Sequence, residues 1–79
     1  MLLDVIDVKV ESNYGLRLVF ENGEVRSFDM TPFLNTKPFD RLTNLNQFNC
    51  VKIESGTLLW PGNIDIAPET LYEQSKSME

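Results

Sequence analysis

The chain has 79 residues, of which 42% are hydrophobic, and its 12 acidic and 7 basic side chains give a net charge of −5. This apolar fraction argues against a disordered chain, and the length is near the lower limit for one hydrophobic core without disulfides or metal. The negative charge repels a phosphate backbone, which disfavours direct binding of DNA or RNA.

The first predicted element is a strand near the amino terminus. Ile6, Val8 and Val10 alternate with charged residues, which is the period-two pattern of a strand with one exposed face. The beginning of the chain has no basic n-region and is interrupted by Asp4 and Asp7, which argues against a signal peptide or a membrane helix. We therefore expect a cytoplasmic protein with no membrane contact.

A hairpin is predicted next. Residues 16–20 alternate in the same way, and the following Asn22-Gly23 pair is typical of a tight hairpin turn, so the second and third strands should pair. In the third strand Val25 and Phe28 are three positions apart, so regular alternation would place them on opposite faces of the sheet. Either a bulge follows the turn, or one of these two residues packs on the second face of the sheet.

Charged residues mark the exposed face of the predicted strands. The basic residues alternate with acidic ones along the chain and are expected to form mixed cross-strand pairs rather than a nucleic-acid platform. These residues are Lys9, Arg17 and Lys52 among the bases and Asp7, Glu11 and Glu54 among the acids.

The middle of the chain, residues 31–48, changes to a helical pattern. Large apolar residues recur every three positions, and prolines suit first helical turns, so short helices are predicted here. Most of these apolar groups should be core, and any surplus would form an exposed patch for a protein partner. The lone Cys50 follows at the expected edge of a strand and is predicted to be a small buried side chain.

The last third predicts a second hairpin and a helix. Residues 50–60, with Gly56 at the turn, form the fourth and fifth strands, Pro61 ends the fifth, and a helix begins at Pro68. We therefore expect one α+β domain over residues 1–74, with a mostly antiparallel sheet of about five strands, short helices in the middle and one carboxyl-terminal helix. Residues 75–79 should form a frayed polar tail.

Three segments together resemble a known family. "VFENGEVRSFDMTPFL", "PFDRL" and "LLWPGNIDIAPETLYEQS", in this order, are similar to a small bacterial domain of unknown function, also called the nitrosomonad-type N-terminal domain. The most specific positions of the resemblance are Trp60, Pro61, Asn63, Asp65, Pro68, Leu71 and Tyr72.

The resemblance implies an α+β fold without an established activity. It also implies one of two contexts, namely fusion to a helix-turn-helix domain or pairing with a short neighbouring protein in a toxin–antitoxin arrangement. Because this chain ends shortly after the family's last helix, we expect the pairing context. Ala67 occupies the position just before the last predicted helix. A Ser or Thr side chain there would cap the helix and stabilise it by about 1 kcal/mol, and alanine cannot do so.

Catalytic and metal chemistry have little support in the sequence. The chain has no histidine, which removes imidazole mechanisms and the commonest metal ligand. Carboxylate pairs such as Asp65 with Glu69, or Asp4 with Asp7, are expected by chance among twelve acids. Asn63 offers a further oxygen ligand beside them, but the order of a calcium-binding EF-hand is missing. We therefore predict no catalytic residue, no cofactor and no metal.

The segment after the fifth strand is the candidate interface, formed by Trp60, Pro61, Asn63, Asp65 and Tyr72. One interpretation is structural: the loop turns the chain, Asp65 caps backbone donors and Tyr72 packs on Trp60. The other is a contact surface, because a rigid exposed loop with an aromatic anchor is typical of binding sites.

These observations favour a non-enzymatic module that binds another protein. Because the chain is acidic, the expected partner is a small basic protein, as for an antitoxin, and a homodimer is the other assembly considered. The alternative is a sensor domain that binds a small molecule between sheet and helices. An enzyme built on carboxylates alone is the third hypothesis.

Overall fold

In the computed structural model, which describes residues 4–78, three strands are followed by short helical segments, three further strands, a helix and a last short strand. The strands are β1 (Val5–Glu11), β2 (Gly15–Phe20), β3 (Val25–Asp29), β4 (Lys52–Glu54), β5 (Thr57–Trp60), β6 (Ile64–Ile66) and β7 (Lys76–Ser77). The helical elements are two 3-10 turns, Thr31–Phe33 and Phe39–Thr43, and the α-helices α1 (Leu45–Phe48) and α2 (Pro68–Gln74). Within residues 4–78 no helix has the length and apolar character needed to cross a membrane.

The strands form two antiparallel sheets, which confirms the α+β class but makes the prediction of one five-stranded sheet wrong. The first sheet has the order β1-β2-β3-β7, and the second has the order β4-β5-β6. Residues 31–48 lie between β3 and β4, and the chain returns to the first sheet with β7 after the second sheet and α2. At the junction the amide of Val5 donates to the carbonyl of Gly56 at 2.9 Å.

One apolar cluster lies between the two sheets and holds them together. Leu16, Leu18 and Phe20 of β2 meet residues of β5 and β6 in this cluster, and the middle helices add to it. The buried members are Val5, Leu16, Leu18, Phe20, Phe28, Met30, Leu42, Phe48, Leu58, Trp60, Ile64, Ile66 and Leu71. Each sheet therefore turns one face to this core, and the opposite face, which we call its outer face, points away from it.

The alternation predicted for β1 is wrong at its first position. Val5 pairs with Phe20 and Asp7 pairs with Val19, so Ile6 is the extra residue of a β-bulge. Val5 is 1% exposed and Ile6 is 59% exposed. The bulge reverses the parity of the strand, so Val5 enters the core in place of Ile6.

The β2–β3 hairpin is confirmed, and its register decides between the two alternatives for the third strand. The pairs run from Val19 with Val25 to Gly15 with Asp29 without a shift, so no bulge follows the turn. Phe28 is buried in the core, whereas Val25 is half-buried on the outer face.

The middle segment provides core aromatics and leaves one large apolar side chain exposed. Phe48 is fully buried, and Phe33 and Phe39 pack against the core with their ring centroids 5.7 Å apart. Leu45, on α1, is 55% exposed. The predicted surplus is thus a single side chain.

The prediction that Cys50 is buried is wrong. Cys50 lies in the turn after α1 and is exposed. Its Sγ atom lies 3.2 Å from the Asn46 carbonyl oxygen, within reach of a weak S–H hydrogen bond. The strand begins two residues later, at Lys52, so the strand pattern expected for Cys50 does not apply to it.

Two residues of the predicted polar tail form a short strand, β7. Lys76 pairs with Ser27 and Ser77 pairs with Arg26, which adds β7 to the edge of β3. Ser75, just before β7, is 6% exposed. Residues 1–3 and residue 79 lie outside the described part of the chain.

Replacing Gly56 with alanine should reduce the free energy of unfolding by about 2 kcal/mol, because two penalties act together. Gly56 has φ +79°, and a Cβ atom there would lie 2.7 Å from the Cβ atom of Asp4. Gly23 is the matched control, with φ +89° and open space around it, so Gly23→Ala should cost about 1 kcal/mol. Urea unfolding of both variants tests this, and equal losses would contradict the contact with Asp4.

Candidate functional site

Trp60 is part of the core. It is 1% exposed, and its Nε1–H donates to the carbonyl oxygen of Phe48 at 3.0 Å. The Trp60 and Phe48 rings are stacked with centroids 6.1 Å apart. The alternation of β5 explains this, because Leu58 and Trp60 share the inner face. The structural interpretation therefore applies to Trp60.

Tyr72 packs elsewhere than predicted. Its ring meets the edge of Phe20 with centroids 5.2 Å apart, and the Arg26 guanidinium carbon lies 4.3 Å from its centroid. The tyrosine hydroxyl donates to the Glu24 carboxylate. Because α2 contacts β3, Tyr72 lies against the first sheet, whereas Trp60 belongs to the second.

Arg26 is at the centre of a polar network that the sequence analysis missed. Its guanidinium donates to the Oγ atom of Ser75 at 2.7 Å, to the Ser75 carbonyl at 2.9 Å and to Glu24 at 3.0 Å. Arg26 pairs with Leu18, so it has the parity of the buried face of the sheet. The sequence could have shown this, because Arg26 lies two positions from Phe28, on the face of the strand that turns to the core. A cation on the core face must find partners within the fold.

Hydrogen bonding shifts two pKa values in this network. The hydrogen bond from Tyr72, followed by those from Asn22 and Arg26, lowers the pKa of the Glu24 carboxyl. The same contact with Glu24 raises the pKa of the Tyr72 hydroxyl. The polar groups of the network form hydrogen bonds with one another and join α2 and β7 to β3. We therefore interpret the network as structural.

The loop after β5 is exposed and is anchored to a neighbouring helix by a side-chain hydrogen bond. Gly62 and Asn63 have φ values of +91° and +61°, which makes a tight turn after Pro61. The Nε2 amide of Gln47 donates to the Pro61 carbonyl at 2.8 Å. The loop is therefore tied to α1 as well as to β5.

A hollow of about 380 Å³ opens beside this loop on the outer face of the second sheet. We call it the loop hollow, and its lining residues are Cys50, Lys52, Leu59, Trp60, Pro61, Gly62 and Asn63. Because the Trp60 side chain is buried on the inner face, its backbone is the part that reaches the hollow. The hollow thus gathers Pro61 and Asn63 from the predicted interface.

Asp65 lies next to the loop hollow on the same outer face. Leu59 pairs with Lys52 on one side and with Asp65 on the other, so a cation, an apolar side chain and an acid cross the three strands in one row. Asp65 is exposed. The predicted capping role of Asp65 is wrong, because the structure has no side-chain cap at the start of α2 and no hydrogen bond to this carboxylate within residues 4–78.

The loop hollow offers contact chemistry. Its side-chain groups are an amine on Lys52, an amide on Asn63, a thiol on Cys50 and the apolar surface of Leu59. These groups can accept an apolar side chain and orient polar ones around it. Among residues 4–78 there is no group of three or more acidic or thiol side chains placed to hold a metal ion.

Comparison with known proteins identifies the family and nothing beyond it. No curated protein and no solved structure matches the chain. One family model, described as a protein of unknown function, DUF2442, matches residues 5–77, which include both sheets and every residue of the loop hollow. The chain therefore belongs to the DUF2442 family.

Proposed function

We propose that the domain is a non-enzymatic module that binds another protein through the loop hollow. The partner we infer is a small basic protein, in an arrangement like that of an antitoxin with its toxin. The single observation that carries the proposal is the loop hollow itself, where an exposed, fixed loop borders the Leu59 side chain between Lys52 and Asp65.

The fixed loop supports binding because a surface that is already ordered loses little entropy on association. Gln47 holds the Pro61 carbonyl, and the proline itself restricts the backbone before the turn. Loops held by a rigid scaffold often carry recognition. The partner would therefore meet a preformed contact surface.

Charge supports a basic partner. The protein carries a net charge of −5, which attracts a cationic protein at long range. At short range the stem of a partner's Arg or Lys side chain can lie on Leu59 while its charged end meets Asp65. Glu54, exposed on the same outer face, adds a second carboxylate.

A small-molecule sensor is the second candidate, and the size of the loop hollow favours it. A volume of about 380 Å³ lies at the lower end of the range for ligand sites. The predicted location of such a ligand, between sheet and helices, is filled by Leu42, Phe33 and Phe39, which pack in or against the core. A ligand would therefore use the same hollow on the outer face.

The decisive experiment reverses one charge beside the loop hollow. Tagged wild-type protein, Asp65→Lys and Glu73→Lys are used for affinity capture from the native cell lysate, followed by mass spectrometry and size-exclusion chromatography. Glu73 is the matched control, since it is exposed on α2 and does not line the hollow. We expect one small basic protein in equal amounts with wild type and with Glu73→Lys. Asp65→Lys should bind it at least about tenfold more weakly.

Two other outcomes would contradict this proposal. Recovery of the same partner by all three proteins would mean that the contact lies elsewhere. Recovery of the domain alone, together with a rise in melting temperature on adding a metabolite, would favour the sensor.

A further inference from the structure

The strand β1 is an edge of the first sheet. It pairs with β2 and with no other strand of residues 4–78, in the order β1-β2-β3-β7. At its amino-terminal end the Val5 amide donates to the Gly56 carbonyl, and this is the one backbone hydrogen bond that β1 makes outside β2 in the described part of the chain. An open edge presents unpaired N–H and C=O groups, which are a template for pairing with another strand.

Two valines direct their backbone groups to this open edge. The amide of Phe20 donates to the Glu24 carbonyl in the β2–β3 hairpin, so the even-numbered residues of β2 bond to β3 and the odd-numbered ones bond to β1. The even-numbered residues of β1 lie opposite even-numbered residues of β2. Val8 and Val10 therefore point their N–H and C=O groups away from β2. Both side chains are half-buried and pack against the core.

Two exposed charges on the outer face of β1 have no partner of opposite charge. Lys9 lies directly opposite Arg17, so the mixed cross-strand pair predicted for it is wrong. The ion pair found within residues 4–78 joins Arg26 and Glu24. Asp7 and Lys9 are both exposed, and among the described residues neither has an oppositely charged group within 4.0 Å.

We propose that β1 pairs in antiparallel fashion with β1 of a second copy of this chain, with the twofold axis at Val8. In this register Asp7 of each copy faces Lys9 of the other, so the two-fold symmetry creates two opposite-charge pairs. These pairs lie on either side of the bonded Val8 pair, at the positions where side chains of opposite strands are closest. The charge pattern of β1 is thus complementary to itself.

Charge also discriminates between registers of this contact. With the axis moved to Asp7, that carboxylate faces its own copy, and with the axis moved to Lys9 the two amines face each other. Like charges directly opposite each other destabilise a strand pair. With the axis at Val10, Lys9 would face Glu11, but Asp7 would extend past the end of the partner strand, because β1 ends at Glu11. The axis at Val8 gives the longer ladder.

The contact would add to a small core. Two four-stranded sheets would become one sheet of eight strands, and the partner strand would cover the open sides of Val8 and Val10. Ile6, which is 59% exposed, would lie beside the partner strand. A bulge can protect an edge from pairing, but this bulge lies before Asp7, and from Asp7 to Glu11 the strand pairs regularly with β2. Small domains often depend on association for stability.

The other edge strands fit self-pairing less well. A twofold axis at the centre of β6 places Asp65 opposite itself. The edge strand β4 has three residues and β7 has two, so each offers a shorter ladder than the seven residues of β1. The proposal is independent of the loop hollow, since none of the lining residues of the hollow is in β1.

Sedimentation velocity of the purified protein, from micromolar to millimolar concentration, tests the proposal. We expect a monomer–dimer equilibrium for wild type. Lys9→Asp and Asp7→Lys each place like charges at both crossings, so each should dimerise at least about tenfold more weakly. Arg17→Asp is the matched control for Lys9→Asp, because it makes the same change of charge on the outer face one strand away from the edge. It should dimerise as wild type does.

Mixing the two weakened variants is the sharper measurement. In a heterodimer of Asp7→Lys with Lys9→Asp, each crossing again places a lysine opposite an aspartate, so the equal mixture should recover dimer that neither variant forms alone. A loss of folding could not be rescued in this way. The proposal is overturned by a monomeric wild type at every concentration, by equal weakening in Lys9→Asp and Arg17→Asp, or by a mixture that stays monomeric.

Discussion

Replacing Trp60 with alanine is expected to unfold the domain under conditions in which the wild-type protein is folded. Trp60 is 1% exposed and stacks on Phe48 within the core that joins the two sheets. Removing a buried tryptophan costs about 3–5 kcal/mol, which is as large as the entire stability expected of a domain of this size. Circular dichroism and urea unfolding measure the effect.

Trp60→Phe is the matched control for this variant. It keeps an aromatic ring against Phe48 and removes the N–H donor, which leaves the Phe48 carbonyl without that partner. The expected cost is about 1–2 kcal/mol, so this variant should remain folded with a lower urea midpoint. A folded Trp60→Ala protein with a midpoint near that of wild type would contradict the placement of Trp60 in the core.

This result has a consequence for functional tests at the predicted interface. Loss of partner binding by Trp60→Ala would report loss of folding, because the side chain is core. Asp65 is exposed and next to the loop hollow, so its substitution tests the contact surface while the core stays intact.

Replacing Arg26 with alanine is the second large expected effect. The guanidinium holds both the hydroxyl and the carbonyl of Ser75, which is buried before β7, and it covers the ring of Tyr72. Removing the guanidinium takes one hydrogen bond from the Ser75 carbonyl and one from the Ser75 hydroxyl, which keeps its bond to the Tyr72 carbonyl, and also removes the cation over the Tyr72 ring. We expect the free energy of unfolding to fall by about 2–3 kcal/mol. Urea unfolding measures the change, and hydrogen exchange should show the amides of β7 losing protection first.

Arg17→Ala is the control for Arg26→Ala. Arg17 is on the neighbouring strand but on the outer face, where it is exposed. Its removal should change the free energy of unfolding by less than about 0.5 kcal/mol. Equal effects of the two substitutions would contradict the role of the network around Arg26.

The pH dependence of stability provides a further check on the same network. The pKa of Glu24 is lowered in the folded protein, chiefly by the hydrogen bond from Tyr72. A carboxyl whose pKa is lower in the folded state than in the unfolded state stabilises the fold at every pH above its unfolded pKa of about 4.5. This contribution is lost as the pH falls through the pKa of the folded state. Tyr72→Phe should therefore lose less stability than wild type as the pH falls below about 4.5. A steeper loss in Tyr72→Phe would contradict this contact.

Local patterns in the sequence predicted several elements correctly. The alternation in residues 16–20 and the Asn22-Gly23 turn indicated the β2–β3 hairpin, and Pro68 marked the start of α2. Alternation and turn chemistry depend on neighbours in sequence, so they are legible without tertiary contacts. The family resemblance, carried by the segment from Trp60 to Tyr72, was also confirmed.

The sequence by itself thus determined the α+β class, the hairpins, the net acidity and the lack of histidine. The tertiary structure alone decided that the strands divide into two sheets, that a bulge turns Ile6 outward, and that Arg26 lies on the core face. It also decided the loop hollow, because its lining depends on which residues stand opposite each other across strands. Strand register depends on distant contacts between strands, and these leave little trace in the local pattern of a single sequence.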